Sequence, residues 1–223
     1  MMKSEASIPY HIPFVSNEEQ SRRVKEWHQM MNARRSVRQF SSQHVPKAII
    51  EGLIMTASTA PSGAHKQPWT FCAVCNPVIK QKIREAAEKE EFENYHGRMS
   101  DEWLKDLEKF ETNWVKDFIT TAPWLIVMFR KSYDINADNS KSKNYYVQES
   151  VGIAAGFLIS AIHQAGLVTL THTPSPMQFL QDILERPENE KPFLLLPVGY
   201  PSEDCKVPIL HRKTSDEVII FYE

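Results

Sequence analysis

The stretch Ala60-Pro61-Ser62-Gly63-Ala64-His65-Lys66-Gln67-Pro68-Trp69 sets two prolines, a glycine and several small or polar residues between a helical pattern and a strand pattern. Gly63 and Ala64 put little side chain in a ligand's way, so such a turn can bring backbone N–H groups close to one. A second stretch, Arg34-Arg35-Ser36-Val37-Arg38, supplies three cations. Arginine can hold a phosphate bidentately, and Ser36 can add a hydroxyl. A basic hook and a small-residue loop together suggest an anionic cofactor held against backbone. Taken alone, the hook reads equally well as a surface basic run, and Arg212-Lys213 near the end is a weaker signal of the same kind.

Other chemistries lack their residues. There is no G-x-S-x-G and no H-E-x-x-H, and neither a dinucleotide fingerprint nor a P-loop. The eight histidines are scattered, and no His/Cys/Asp/Glu set has the spacing of metal ligands. Cys72 and Cys75 form a C-x-x-C on a strand pattern, where residues three apart face opposite ways; they read as two buried structural thiols. Cys205 stands alone in a polar loop. A net charge of −2 favours neither nucleic acid nor an anionic membrane as partner. The most apolar stretch, 151–162, is too short to span a bilayer. No signal peptide is visible, so the expected location is the cytoplasm.

The elements that must position these residues follow from periodicity. Ser16 and Glu19 fit a capping box, with a helix to about Met31. Pro46 suits a first helical turn, and Ile49, Ile50, Leu53, Ile54 and Ala57 repeat at helical spacing. A strand follows over 69–75, and Pro77 opens a helix that turns acidic. Ser100-Asp101 caps another, with Trp103, Leu107, Phe110 and Trp114 at helical spacing. The charged, aromatic segment 88–117 has the look of a lid. A buried strand is expected over 123–129, then a polar and mobile stretch over 131–143. A helix over 145–164 carries small residues at Gly152, Ala154, Ala155 and Gly156 for close packing. Strands are expected over 167–171, 193–198 and 217–222, with a short helix over 177–184. There is no regular βαβ alternation. The class is α+β, a central sheet of about four or five strands among helices.

These residues carry a resemblance. The chain resembles the nitroreductase superfamily of flavoproteins in its Arg34-Arg35-Ser36-x-Arg38, its Pro61-Ser62-Gly63 loop and its late basic residue. More narrowly it resembles the iodotyrosine deiodinase branch, in Glu91 to Tyr95, Thr112-Asn113-Trp114-Val115-Lys116, Thr121-Ala122-Pro123, Ala165-Gly166-Leu167-Val168-Thr169 and Leu196-Pro197-Val198-Gly199-Tyr200-Pro201. The likeness runs from Arg34 to about Lys213. It implies a mixed sheet in an intertwined homodimer with FMN at the interface. By it, Arg34, Arg35, Ser36, Arg38 and Arg212 would hold the phosphate and ribityl end. Pro61, Ser62 and Gly63 of the other subunit would pass over the isoalloxazine. Thr171, His172 and Thr173 would line its edge, Thr173 being the catalytic hydroxyl near N5. A lone histidine at such a strand end otherwise reads as a scaffold residue.

The substrate set of that branch falls on Glu91, Tyr95, Lys116 and the backbone N–H of Ala64. Glu91 and Tyr95 are i and i+4, hence neighbours on a helix face. A carboxylate for an ammonium and a lysine for a carboxylate together read an amino-acid zwitterion. Without the resemblance, Glu91, Tyr95 and Lys116 would read as a solvated charged helix. The activity implied is FMN-dependent reductive dehalogenation of mono- and diiodotyrosine in single-electron steps. The rivals are an NAD(P)H-dependent nitroreductase or quinone reductase, and a non-catalytic flavin or halotyrosine binder. No nicotinamide-binding domain is apparent, so the identity of the external electron donor stays open. Animal members of the branch carry an N-terminal membrane anchor, which nothing in 1–33 resembles; a soluble relative is expected. The expected organisation is an N-terminal extension and helix over 1–33 and one FMN domain over 34–223, with its lid at 88–117.

Overall fold

The computed structural model describes residues 7–223. One unit ends at Arg34 and a second spans Arg35–Glu223. The first contains α1 (Asn17–Ala33), begun by Ser16, whose Oγ accepts the Glu19 N–H at 3.3 Å. That bond satisfies one orphan donor of the first turn. No residue of α1 is buried.

The second unit is built on strands β1 (Trp69–Val74), β2 (Trp124–Lys131), β3 (Tyr133–Ile135), β4 (Lys141–Lys143), β5 (Val168–Thr169) and β6 (Glu190–Gly199). Four of them form the central sheet in the order β1-β2-β6-β5, with every ladder antiparallel. One parallel bridge, Ser36 with Thr169, lays the basic hook along β5. The helices are α2 (Lys47–Ala57), α3 (Pro77–Glu93), α4 (Asp101–Glu108), α5 (Phe118–Thr121), α6 (Val147–Gln164), α7 (Gln178–Ile183) and α8 (Ser215–Val218).

Alternation along the strands sorts the core. Leu125, Val127 and Phe129 face α3, α5 and α7, in a cluster with Ile83, Ile119 and Leu180. Ile126 and Met128 face α2 and α6, in a cluster with Leu53, Ala154 and Leu158. Helices cover both faces, which is why the middle of β2 is an unbroken apolar run. The β2–β6 register slips once, between Met128 and Phe129, where Phe129 comes to pair with Pro192. A bulge is one of the few sheet positions that tolerates a residue with no N–H.

Several expectations need correction. The final strand over 217–222 does not form. Thr214 and Glu217 make a reciprocal capping box that turns the chain into α8, and the Ile219–Tyr222 run beyond it pairs with no strand among the described residues. The 131–143 stretch is a hairpin, β3 with β4, whose base is tied by Asn144 Nδ2 to the Lys131 carbonyl at 3.1 Å. Pro46 caps α2 from outside rather than opening its first turn. Phe110 and Trp114 fall beyond the end of α4. Cys75 lies just past β1 and is exposed, so of the C-x-x-C pair Cys72 alone is partly covered. Gly152 and Gly156 sit on the exposed side of α6; Ala154 and Ala155 make the close packing. The expected strand over 167–171 shrinks to β5, after which His172 bridges Leu195 in both directions.

Candidate active site

The end of α3, a π-helical turn at Asn94–Arg98, α4 and the loop to Lys116 enclose a cavity of ≈ 860 Å³ against the segment that follows β5. Glu91, Tyr95 and Lys116 line it from the side of α3 and the loop before α5; Arg38, Thr171, His172 and Thr173 line it from the sheet side. Two sets of residues far apart in sequence thus share one chamber.

Within it, Lys116 Nζ lies 3.0 Å from Glu91 Oε2, with only 5% and 10% of the two side chains exposed. The same ammonium donates to the Asn113 carbonyl and sits 5.4 Å from the centre of the Tyr95 ring. Desolvation pulls the Lys116 pKa down, and the Glu91 carboxylate opposes it. Burial raises the Tyr95 phenol, against a hydrogen bond from Thr112 that lowers it. Asn94, at the start of the π turn, donates from Nδ2 to the Ser175 carbonyl at 3.0 Å. That bond ties the π turn to the segment carrying Thr173.

His172 is buried at the cavity's inner wall, edge-on to Phe118 at 5.3 Å between centroids. Its Nε2 has no hydrogen-bond partner among the described residues. Desolvation, then the Lys116 and Arg38 cations, push its pKa down to about 3. Below pH 6.5 the unfolded chain therefore binds a proton that the folded chain refuses until near pH 3. Stability should fall with pH across that window, at about 1.4 kcal/mol per unit for this group. His172→Leu removes the group. Urea titrations at pH 7 and pH 5 should show the variant gaining on the wild type by about 2 kcal/mol at the lower pH; parallel losses would show that His172 takes up its proton in the folded state.

The remaining expected residues lie elsewhere. Arg35 donates to the Pro208 carbonyl, holding the C-terminal arm, and Arg212 is exposed on that arm. Ser36 is bridged to β5, which aims Arg38 alone of the second unit's hook residues into the cavity. Arg34 belongs to the first unit, where its N–H caps α1 on the Met31 carbonyl at 3.2 Å. Pro61, Ser62, Gly63 and Ala64 do not line this cavity. Their turn abuts the start of α6, and a Cβ on Gly63 would sit 2.8 Å from the Tyr145 carbonyl oxygen. The glycine is required by packing, a reason the sequence does not display. Ala64, His65 and Gln67 hold left-handed backbone, which costs on the order of 1 kcal/mol each for residues with a Cβ.

Sequence reasoning gave no role of their own to Asn94, Thr112 and Phe118. Their partners Ser175, Tyr95 and His172 are set by how the chain from Asn94 to Phe118 folds back, which no local pattern displays.

Comparison with known proteins bears on this geometry. Residues 31–200 match the Nitroreductase family. The chain belongs to it. It is 61% identical over the full length of both chains to the iodotyrosine deiodinase of Haliscomenobacter hydrossis. It is 47% identical to iodotyrosine deiodinase 1 of Mus musculus, over 94% of this chain and 75% of that one. Among solved structures, an oxidised iodotyrosine deiodinase bound to FMN and 3-iodo-L-tyrosine superposes with a TM-score of 0.75 at 28% identity, over 88% of this chain and 98% of that one. No helix among the described residues of this family member is long and apolar enough to cross a membrane.

Proposed function

We propose that this protein is an FMN-dependent iodotyrosine deiodinase, converting mono- and diiodotyrosine to tyrosine and iodide. The observation that carries the reading is the shared chamber: a buried Glu91–Lys116 pair facing the Thr171-His172-Thr173 segment across one cavity. The relatives named above support it.

The residues present suit FMN. The buried Nε2 of His172, at the cavity wall, lacks a partner among the described residues, and Arg38 brings a cation into the same space. Bound FMN, once reduced, would supply the two electrons that break the carbon–iodine bond; iodide leaves and a proton takes its place on the ring as the flavin is reoxidised. Glu91 and Lys116 would trade each other for the ammonium and carboxylate of the substrate. That exchange keeps both charges paired, and so avoids leaving one buried alone. Tyr95 would lie along the substrate, and the closed lid would exclude water, strengthening the charge contacts inside. Thr173 would place its hydroxyl beside the flavin N5, where it can both donate and accept.

The second copy of a homodimer would supply the 61–64 turn, and the distance of that turn from this chain's own cavity fits that role. Exposed apolar surface supports the dimer: Ile153 and Phe157 on α6, and Ile220, Phe221 and Tyr222 at 78%, 79% and 94% exposure on the tail. An external donor would reduce the flavin. Three thiols without a disulfide suit the cytoplasm.

Purified protein should be yellow, dimeric, and carry one FMN per subunit by absorbance after denaturation. Colourless protein that takes up no added FMN would sink the reading.

A further inference from the structure

Lys116 is held from α3 at both of its ends. Glu91 takes the ammonium at 3.0 Å. One turn earlier on the same helix, Glu88 Oε1 accepts the Lys116 backbone N–H at 2.8 Å. Glu88 is itself fixed, because Arg84 Nε donates to that oxygen at 2.8 Å. Arg84 also reaches Thr120 Oγ1 at 3.0 Å and the Asp117 carboxylate. The guanidinium therefore joins α3 to both ends of the short stretch that runs from Lys116 into α5. Neither Arg84 nor Glu88 lines the cavity, so neither meets a ligand there.

We propose that Arg84 and Glu88 form a clasp whose work is to position Lys116 for the substrate carboxylate. The inference rests on the deiodinase reading of Lys116. A carboxylate accepting a backbone N–H is a strong, directional bond, and an arginine on the same oxygen holds that carboxylate in place. When a zwitterion displaces Glu91 from the Lys116 ammonium, the Glu88 contact stays. The lysine turns its head to the ligand while its backbone holds still. The lid's C-terminal hinge is thereby fixed ahead of binding, and the moving part is the stretch between Asn94 and Val115. Glu88 is a positioning residue: it acts through Lys116 alone.

The test uses full-length, FMN-loaded protein. Glu88→Ala should raise KM for iodotyrosine about tenfold with kcat within about twofold, leaving FMN content unchanged. Glu88→Gln keeps an acceptor oxygen for the N–H and should recover most of the loss. Binding of 2-iodophenol, which has no carboxylate, should not change in either variant. A merely structural role would weaken FMN and iodophenol alike, and that result, or an unaltered KM, would overturn the proposal. If Glu88→Ala does not fold, hydrogen exchange at the Lys116 amide decides between the outcomes. It should be protected in substrate-free wild type and Glu88→Gln and faster in Arg84→Gln; fast exchange in the wild type overturns the clasp. Wild type that neither binds nor turns over iodotyrosine would count against the deiodinase reading instead, while the amide exchange would still judge the clasp.

Discussion

Lys116→Gln should raise KM for iodotyrosine by about tenfold or more and destabilise the substrate-free protein by about 3–5 kcal/mol. Both effects have one origin. Lys116 and Glu91 are buried against each other at 3.0 Å, so glutamine at 116 strands a carboxylate in a space that offers it no other cation at that distance. Glu91→Gln should do the same with the signs exchanged. The double variant Glu91→Gln/Lys116→Gln separates the two effects, since two neutral amides of similar shape leave no orphan charge. It should regain most of the stability, and its KM should stay high, because nothing then reads the zwitterion. Urea unfolding and steady-state kinetics on the four proteins give the full cycle. Additive losses of stability would show that the pair is not coupled. Recovery of KM in the double variant would remove both residues from substrate recognition.

The tail carries the second large effect. Ile220 and Phe221 are 78% and 79% exposed in the single chain, beyond a helical turn capped by Thr214 and Glu217. Burying such side chains contributes about 1.5–3 kcal/mol each. Ile220→Ser/Phe221→Ser should therefore weaken the proposed dimer by roughly 3–6 kcal/mol per chain and, because each FMN site would need the other copy's 61–64 turn, lower FMN occupancy in parallel. Sedimentation across a dilution series, with flavin absorbance followed in the same cell, checks both. A variant that stays dimeric and yellow at every concentration would show that the tail packs nothing essential.

Local signals carried most of the fold. Ser16 and Ser100 cap helices where their side chains suggest, and Gly166 ends α6 with φ +72°. The continuous apolar run of β2 announced a strand covered on both faces. The tail misled for a physical reason: Ile-Ile-Phe-Tyr is strand-forming by type, but a strand needs a neighbour, and no sequence pattern supplies one. The hairpin at 131–143 was hidden by its polar residues, although Asn139 turns it with a left-handed φ of 63°. Glu91, Tyr95, Lys116 and the segment from Thr171 to Thr173, which the resemblance singles out, line one cavity; their roles there are part of the proposal. That Lys116 and Glu91 hold each other was not legible, because the contact depends on the chain between them folding back. The clasp from Arg84 and Glu88 was hidden too, since on α3 those residues look like an ordinary i,i+4 surface pair.

The central claim is the chemistry done in the chamber. FMN-loaded protein, chemically reduced without oxygen, should release iodide and tyrosine from 3-iodotyrosine in the ratio one to one, and should prefer it to a nitroaromatic offered at equal concentration. Rapid reduction of the nitroaromatic with no iodide released from iodotyrosine would contradict the account and leave a nitroreductase.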